Sequence, residues 1–404
     1  MVYDFDRVID RRHSDSVKWR YYGDALPLWV ADMDFVSPEP VVRALRERVE
    51  HGVYGYGAEP RELRDVVVER LARLYNWQVE PEAVLFLPGV VTGFNQACHA
   101  VTSSGDGVLV QTPAYPPFFS VPKNVKLILN ETELTRQSDG RCTIDFDAFE
   151  AAITDRTRIF VLCNPHNPIG RVFRRDELER MAEICLRHNV VICSDEIHCD
   201  LIFNGHRHVP IASLAPEIET QTITLIAPSK TFNIAGLGCS VAIVPNRKLR
   251  DKFKAAHAGL VSHVNVLGFV AALAAYRDGQ EWLDQVRAYL EANRDWLYQV
   301  VNEQLPGVRM GKPEGTYLAW LDCREAGIPG NPFEFFLKEA QVALNDGVAF
   351  GKGGQGFVRL NFGCPRSILV EALDRMRQAV FSANPGTARH AMPRPQPGGA
   401  AMRR

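Results

Sequence analysis

Three stretches decide the fold: IFVLC-NPHNPIG from Ile159 to Gly170, VVIC-SDEIH from Val190 to His198, and TITLI-APSKT from Thr222 to Thr231. Each begins as a short run that is apolar throughout, as a strand covered on both faces should be. Each ends abruptly in polar residues: Asn164 and Asn167, then Asp195, then Ser229 and Lys230. Similar runs occur at Val84–Leu87, Val108–Gln111, Val125–Leu129 and Cys239–Val244. Helical patterns lie between many of them, at Thr92–Thr102, Asp145–Ile153 and Arg174–His188. Alternation of this kind predicts a parallel sheet between layers of helices. Ligands of such sheets collect at the carboxyl ends of the strands. One amide, one carboxylate and one amine are thus expected on one rim.

Outward from this centre the texture changes. Ser37 and Pro38 read as the N-cap and first residue of a helix over Glu39–Glu50. Arg61–Tyr75 is a second amphipathic stretch. Beyond Lys248, Arg250–Tyr276 and Glu281–Leu305 read as helices. A strand (Thr316–Leu321), a helix (Pro332–Ala340), a strand (Phe357–Phe362) and a closing helix (Arg366–Phe381) follow. Trp282, Leu283, Val286, Tyr289, Leu290 and Trp296 recur at helical spacing and read as a core stripe. The expected organisation is an N-terminal segment (1–51) that joins a smaller α/β domain, a large domain (52–280), and a connecting helix with the C-terminal small domain (281–383). Residues 384–404, rich in Pro, Gly, Ala and Arg, read as a disordered tail.

Composition narrows the function classes without naming one. The chain has 404 residues, of which 46% are hydrophobic and 23% charged, and a net charge of −2. That balance argues against a nucleic-acid binder working by phosphate neutralisation. The longest apolar run, Phe269–Tyr276, is too short to span a membrane. The nine cysteines are scattered, with no Cys-x-x-Cys, so neither a disulfide framework nor a zinc site is indicated. A cytoplasmic, reducing location is expected.

A lysine and an aspartate on one rim could form a plain salt bridge. They could also serve pyridoxal phosphate, whose Schiff base needs an amine and whose pyridinium needs a carboxylate. The phosphate then needs a cradle. Pro88-Gly-Val-Val-Thr-Gly93 follows a strand and opens a helix, as an anion site requires. Gly351-Lys-Gly-Gly-Gln-Gly356 matches a dinucleotide fingerprint by spacing, but it precedes a strand and reads as a loop delivering Arg359. His206 and His208 read as surface or substrate-rim histidines, and Cys199 as packing. No metal site is expected.

NPHNPIG, SDEIH and PSKTFNIAGL, in this order, resemble the fold-type I pyridoxal phosphate enzymes of the aminotransferase class I/II group. PLWVADMDF (27–35), YGYG (54–57), HCDLIF-x-GHRH-x-P (198–210), EGTYLAWLD (314–322) and FVRLNFGCPR (357–366) look like its MalY/PatB-type cystathionine β-lyase branch of C–S lyases. The resemblance covers about Phe5 to Phe381. It implies a large domain with a mainly parallel sheet between helices plus a smaller α/β domain. It implies that Lys230 holds the cofactor and, once displaced, takes the Cα proton as base. Asp195 would pair with the ring nitrogen, Asn167 with the phenolic oxygen, and Tyr115 would stack on the ring. The Val91 amide, Thr92 and Ser229 would hold the phosphate, and His198 would stand beside the cofactor. Arg359 would clamp the substrate carboxylate, with Ala31 and Asp32 near the substrate. Tyr56 would reach the phosphate of a neighbouring subunit, which implies a homodimer with shared sites.

Two positions depart from the commoner aminotransferase pattern. His198 stands where those enzymes carry Tyr, and Ala227 and GLGC replace their further phosphate ligands. Both departures look typical of the lyase branch. The implied activity is α,β-elimination on an L-cysteine S-conjugate such as cystathionine, giving a thiol, pyruvate and ammonia. An aminotransferase, a C–S-processing enzyme of a specialised pathway, and a regulator that has lost its chemistry are the other readings.

Overall fold

The computed structural model describes residues 1–257 and 259–384. Its centre is a seven-stranded sheet. The strands are β1 (Val84–Leu87), β2 (Gly107–Thr112), β3 (Ile128–Glu133), β4 (Thr157–Cys163), β5 (Val191–Asp195), β6 (Thr222–Ile226) and β7 (Ser240–Ile243). They lie in the order β1-β7-β6-β5-β4-β2-β3. β3, β2, β4, β5 and β6 run parallel, and β7 runs antiparallel to both β6 and β1.

The apolar strands are explained by cover on both faces. Val108, Val110, Ile159 and Val161 pack beneath Phe94, Ala97 and Cys98 of helix Val90–Val101, with Leu249 and Phe253 of helix Arg247–His257. The alternate residues Leu109, Phe160, Leu162 and Ile192 meet Leu178, Met181 and Cys185 of helix Arg175–Arg187. Each buried Leu, Ile or Phe contributes about 1.5–3 kcal/mol of apolar burial. Gly93 lets the first of these helices lie close, since a Cβ there would stand 2.8 Å from Leu225 Cδ2.

A four-stranded sheet, β8 (Arg309–Met310), β9 (Leu318–Asp322), β10 (Asn345–Asp346) and β11 (Phe357–Asn361), lies in the order β8-β9-β11-β10. The N-terminal segment meets the C-terminal third of the chain here. Leu26–Pro27 pairs in parallel with Val342–Ala343. Phe5 packs edge-on against Phe35 and Trp282, and Tyr3 N–H donates to Gln285 on the long helix Gln280–Gln304. Trp282, Leu283, Val286 and Leu290 of that helix are buried as the stripe required, while Tyr289 and Trp296 pack at its edge.

Several expected elements shift. The strand read at Val125–Leu129 begins at Ile128. Val121–Val125 is a helical turn that ends on Lys126 at φ 59°, and pairing of Ile128 with Gly107 sets the register. Ser37 does not cap the helix Glu39–Glu50: Pro38 is the cap residue, and the Ser37 hydroxyl donates to the Asn233 carbonyl. The run Arg250–Tyr276 is two helices, Arg247–His257 and Val266–Asp278, the second capped by Asn265, whose side chain accepts from Gly268 N–H. Pro332–Ala340 is one α turn followed by a π turn. The tail lies outside the described residues except for Asn384.

Candidate active site

The carboxyl ends of β4, β5 and β6 deliver their polar residues to one cavity of 320 Å³. Lys230, Asp195, Asn167, Tyr115, His198, Ser229, Val91, Ala31 and Arg359 line it. The apolar part of β5 is anchored in the core, so Asp195 at its end is almost wholly buried, at 3% exposure. One of its oxygens accepts from the Ile197 amide, 3.1 Å away. Burial pushes its carboxyl up to about 7, against the pull of that amide and of Lys230.

Lys230 sits in the short helix Pro228–Thr231 that follows β6 and reaches back across the cavity. Its Nζ donates to the Ala31 carbonyl at 2.7 Å. Burial, aided by the Arg359 charge, pushes the amine down to about 8, which brings a neutral amine within reach near physiological pH. Arg359 lies mid-way along β11. Its Nη1 donates to Asn167 Oδ1 (2.9 Å), and its Nη2 to the Trp29 carbonyl (2.9 Å) and Asn345 Oδ1 (2.6 Å). All these acceptors are neutral, and Nε is buried with no partner among the described residues. Burial pushes the guanidinium down to about 10. A buried cation satisfied only by neutral groups is a site prepared for an anion.

His198 is buried with Nδ1 unpartnered among the described residues, and its ring meets Tyr317 edge-on at 6.0 Å. Burial and the nearby cations push it down to about 3, so it stays neutral. The helix Val90–Val101 points its first turn into the same cavity through Val90 and Val91. Among the described residues no side chain caps that end at Gly89, and a Cβ at Gly89 would meet nothing within 4 Å. Its first-turn amides are therefore free for an anion.

Three of the expected site residues do not line this cavity of their own chain, Tyr56 being expected at a neighbouring subunit's site. Thr92 belongs to the same helical turn but does not line the cavity. Asp32 lies behind its wall, paired with Arg11 and Lys18. Tyr56 projects into solvent, fully exposed. Trp29 and Asn345 were missed by sequence reasoning. Asn345 is the cross-strand partner of Arg359, a register that a two-residue strand does not announce. His208 is not at the surface as expected: it is buried, with Nε2 2.7 Å from Glu196. Cys199 is buried packing, its thiol pushed well up by burial.

The described residues therefore present a free helix end, an amine, a buried carboxylate and an unpaired guanidinium around one space. That set fits an anionic aromatic aldehyde cofactor with a carboxylate-bearing substrate. Comparison with known proteins points the same way. The family model "Aminotransferase class I and II" matches residues 26–376. Cystathionine β-lyase PatB of Bacillus subtilis is 42% identical over 386 residues, covering 93% of this chain and 99% of that protein. The solved structure of OvoB is 46% identical with a TM-score of 0.90, covering 94% of this chain and 100% of that one. Cystalysin from Treponema denticola, which contains pyridoxal 5'-phosphate, is 33% identical with a TM-score of 0.91, covering 95% and 100%. The chain belongs to the aminotransferase class I and II family, in its MalY/PatB-type branch.

Proposed function

We propose that this protein is a pyridoxal phosphate-dependent carbon–sulfur β-lyase. It cleaves L-cystathionine or another L-cysteine S-conjugate to a thiol, pyruvate and ammonia. The observation that carries the reading is the Lys230 amine, held on the Ala31 carbonyl in a cavity shared with buried Asp195 and anion-ready Arg359. Lys230 would hold the cofactor, with Asp195 at its ring nitrogen, Asn167 at its phenolic oxygen and Tyr115 on its face. The Val91 amide, Thr92 and Ser229 would take the phosphate, with His198 neutral beside the ring. When bound, pyridoxal phosphate supplies an electron sink for the pair left at Cα.

The chain's own residues do the rest. Arg359 takes the substrate α-carboxylate with its planar fork, whose plane Asn345 and the Trp29 carbonyl already fix. That grip turns the Cα–H bond toward Lys230. The amine, whose neutral form is well populated near pH 8, accepts the Cα proton and holds it as an ammonium on the Ala31 carbonyl. Sulfur leaves Cβ as a thiolate, and the enamine product hydrolyses once released. Residues 52–280 serve as the cofactor domain, and the N-terminal segment with residues 281–383 as the smaller one.

We read the active unit as a cytoplasmic homodimer. Val53, Tyr54 and Tyr56 stand exposed, as does Val91 at the cavity, an apolar set that a second copy would cover. All nine cysteines are buried and unpaired, which suits a reducing compartment. Among the described residues no helix is long and apolar enough to cross a membrane.

The test is pyruvate release from L-cystathionine and other S-substituted cysteines by the loaded protein, with Lys230→Ala as control. The variant should lose both the cofactor's visible absorbance and turnover. Absence of pyruvate from every conjugate, with a keto acid instead restoring the cofactor after an ordinary amino acid, would establish transamination.

A further inference from the structure

One wall of the cavity is an irregular segment, Trp29–Phe35, that crosses from the N-terminal end of the chain. Nearly every carbonyl along it is taken by a side-chain donor. Arg359 takes Trp29, and Asn361 takes Val30 and Asp32. Lys230 and Tyr317 share Ala31, at 2.7 and 2.9 Å. Asn233 takes Met33 and Phe35. The segment is a strap whose carbonyls are held by side chains from several elements, and the Lys230 amine rests on its middle.

Behind the strap lies a buried ion cluster. The Lys18 side chain has 0% exposure, with Nζ 2.7 Å from Asp34, 3.3 Å from the Asp32 carboxylate and 3.2 Å from the Asp32 carbonyl. Arg11 donates to both carboxylates, and the Trp19 indole donates to Asp34 at 2.8 Å. Two cations thus meet two anions. Lys18 and Asp34 are desolvated, which is expensive, and apolar side chains of similar volume often stabilise such a position as well. Stability therefore does not explain the cluster. Its location does: both carboxylates belong to the strap.

We propose that Lys18 is a positioning residue for Lys230. Through Asp34 and Asp32 it fixes the strap, so that the Ala31 carbonyl stands where the Lys230 amine docks while it carries a proton. The inference rests on the reading of Lys230 as the proton carrier. The charged and titratable groups around the amine are Asp32 behind the strap, Asp195 at the end of β5, His198 and Arg359 on β11, with Tyr317 donating to the same Ala31 oxygen. Asp32 and Asp195 favour the ammonium, and Arg359 opposes it.

The paired variant Lys18→Met with Asp34→Asn removes one cation and one anion, so the cluster stays neutral. The readout is the rate at which cofactor-free protein develops visible absorbance on mixing with pyridoxal phosphate, followed against pH. This rate tracks the free Lys230 amine. Loss of the fixed acceptor should lower the pH midpoint by about half a unit or more. In the loaded enzyme kcat should fall roughly tenfold, with KM within about threefold of the parent. Trp19→Phe removes one neutral donor and should give a smaller shift in the same direction. It decides the matter if the paired variant does not fold. An unchanged midpoint and kcat in the folded variant would overturn the proposal. If Lys230→Ala develops the same absorbance as the parent, it is instead the role of Lys230 that fails.

Discussion

Asp195 shows at the scale of one residue how burial prepares chemistry. The Ile197 amide and Lys230 offset the cost of burying its charge only in part, so its carboxyl is pushed up to about 7 from a usual value near 4. Between those values the folded protein holds a proton that the unfolded chain has released. The contribution of Asp195 to folding stability must therefore decline as pH rises from about 4 to 7 and stay constant above. Buried His198 and His166, pushed down to about 3 and about 4, act in the opposite sense across part of that window. Asp195→Asn removes the first effect and leaves the others. In urea unfolding of cofactor-free protein, the variant should gain on the parent steadily from pH 4 to 7 and no further beyond. Loading the parent with pyridoxal phosphate, whose ring nitrogen would face the carboxylate with a proton, should abolish that contribution. Parallel pH profiles for parent and variant would mean that Asp195 is not desolvated as the structure has it.

At the scale of elements, the site depends on how pieces distant in the chain are hooked together. Asn233 sits at φ 56°, and its amide accepts from Met33 N–H and donates to the carbonyls of Met33 and Phe35. Its own carbonyl accepts from Ser37. Replacing it with Ala leaves three strap groups unpartnered and places Ala in a backbone region it disfavours. Asn233→Ala should cost about 3 kcal/mol in urea unfolding, while the far-UV spectrum stays that of the parent. The same hook explains what the sequence concealed. Ser37 before a proline reads as a helix cap, yet Asn233, almost two hundred residues away in the chain, claims its hydroxyl. The strands of the large sheet were legible because residues such as Phe160 and Val161 face opposite layers that are both apolar. Lys230, Asp195 and Asn167 were legible because each follows such a strand directly. Trp29 and Asn345 reach the cavity only through the strap and through pairing with Arg359, and neither relation leaves a local pattern.

The whole molecule poses the question of what covers Tyr56. Its side chain is fully exposed beside exposed Val53 and Tyr54, while the free helix end at Gly89–Val91 faces the cavity. A tyrosine so placed serves its own cavity poorly. In a twofold dimer each patch must meet the same patch on the partner, and Tyr56 can then complete the neighbouring site. The proposed sharing has a sharp consequence. Lys230→Ala and Tyr56→Ala would each be impaired as homodimers. When the two proteins are mixed and allowed to exchange subunits, half of the dimers are hybrids. In each hybrid, one site combines the intact Lys230 of one chain with the intact Tyr56 of the other, and the second site lacks both. Activity should therefore recover to about a quarter of that of the parent at equal mixing, on the timescale of exchange and with linear dependence on the limiting variant. If Tyr56 serves the chain that carries it, hybrids gain nothing, and the mixture retains only the mean of its components.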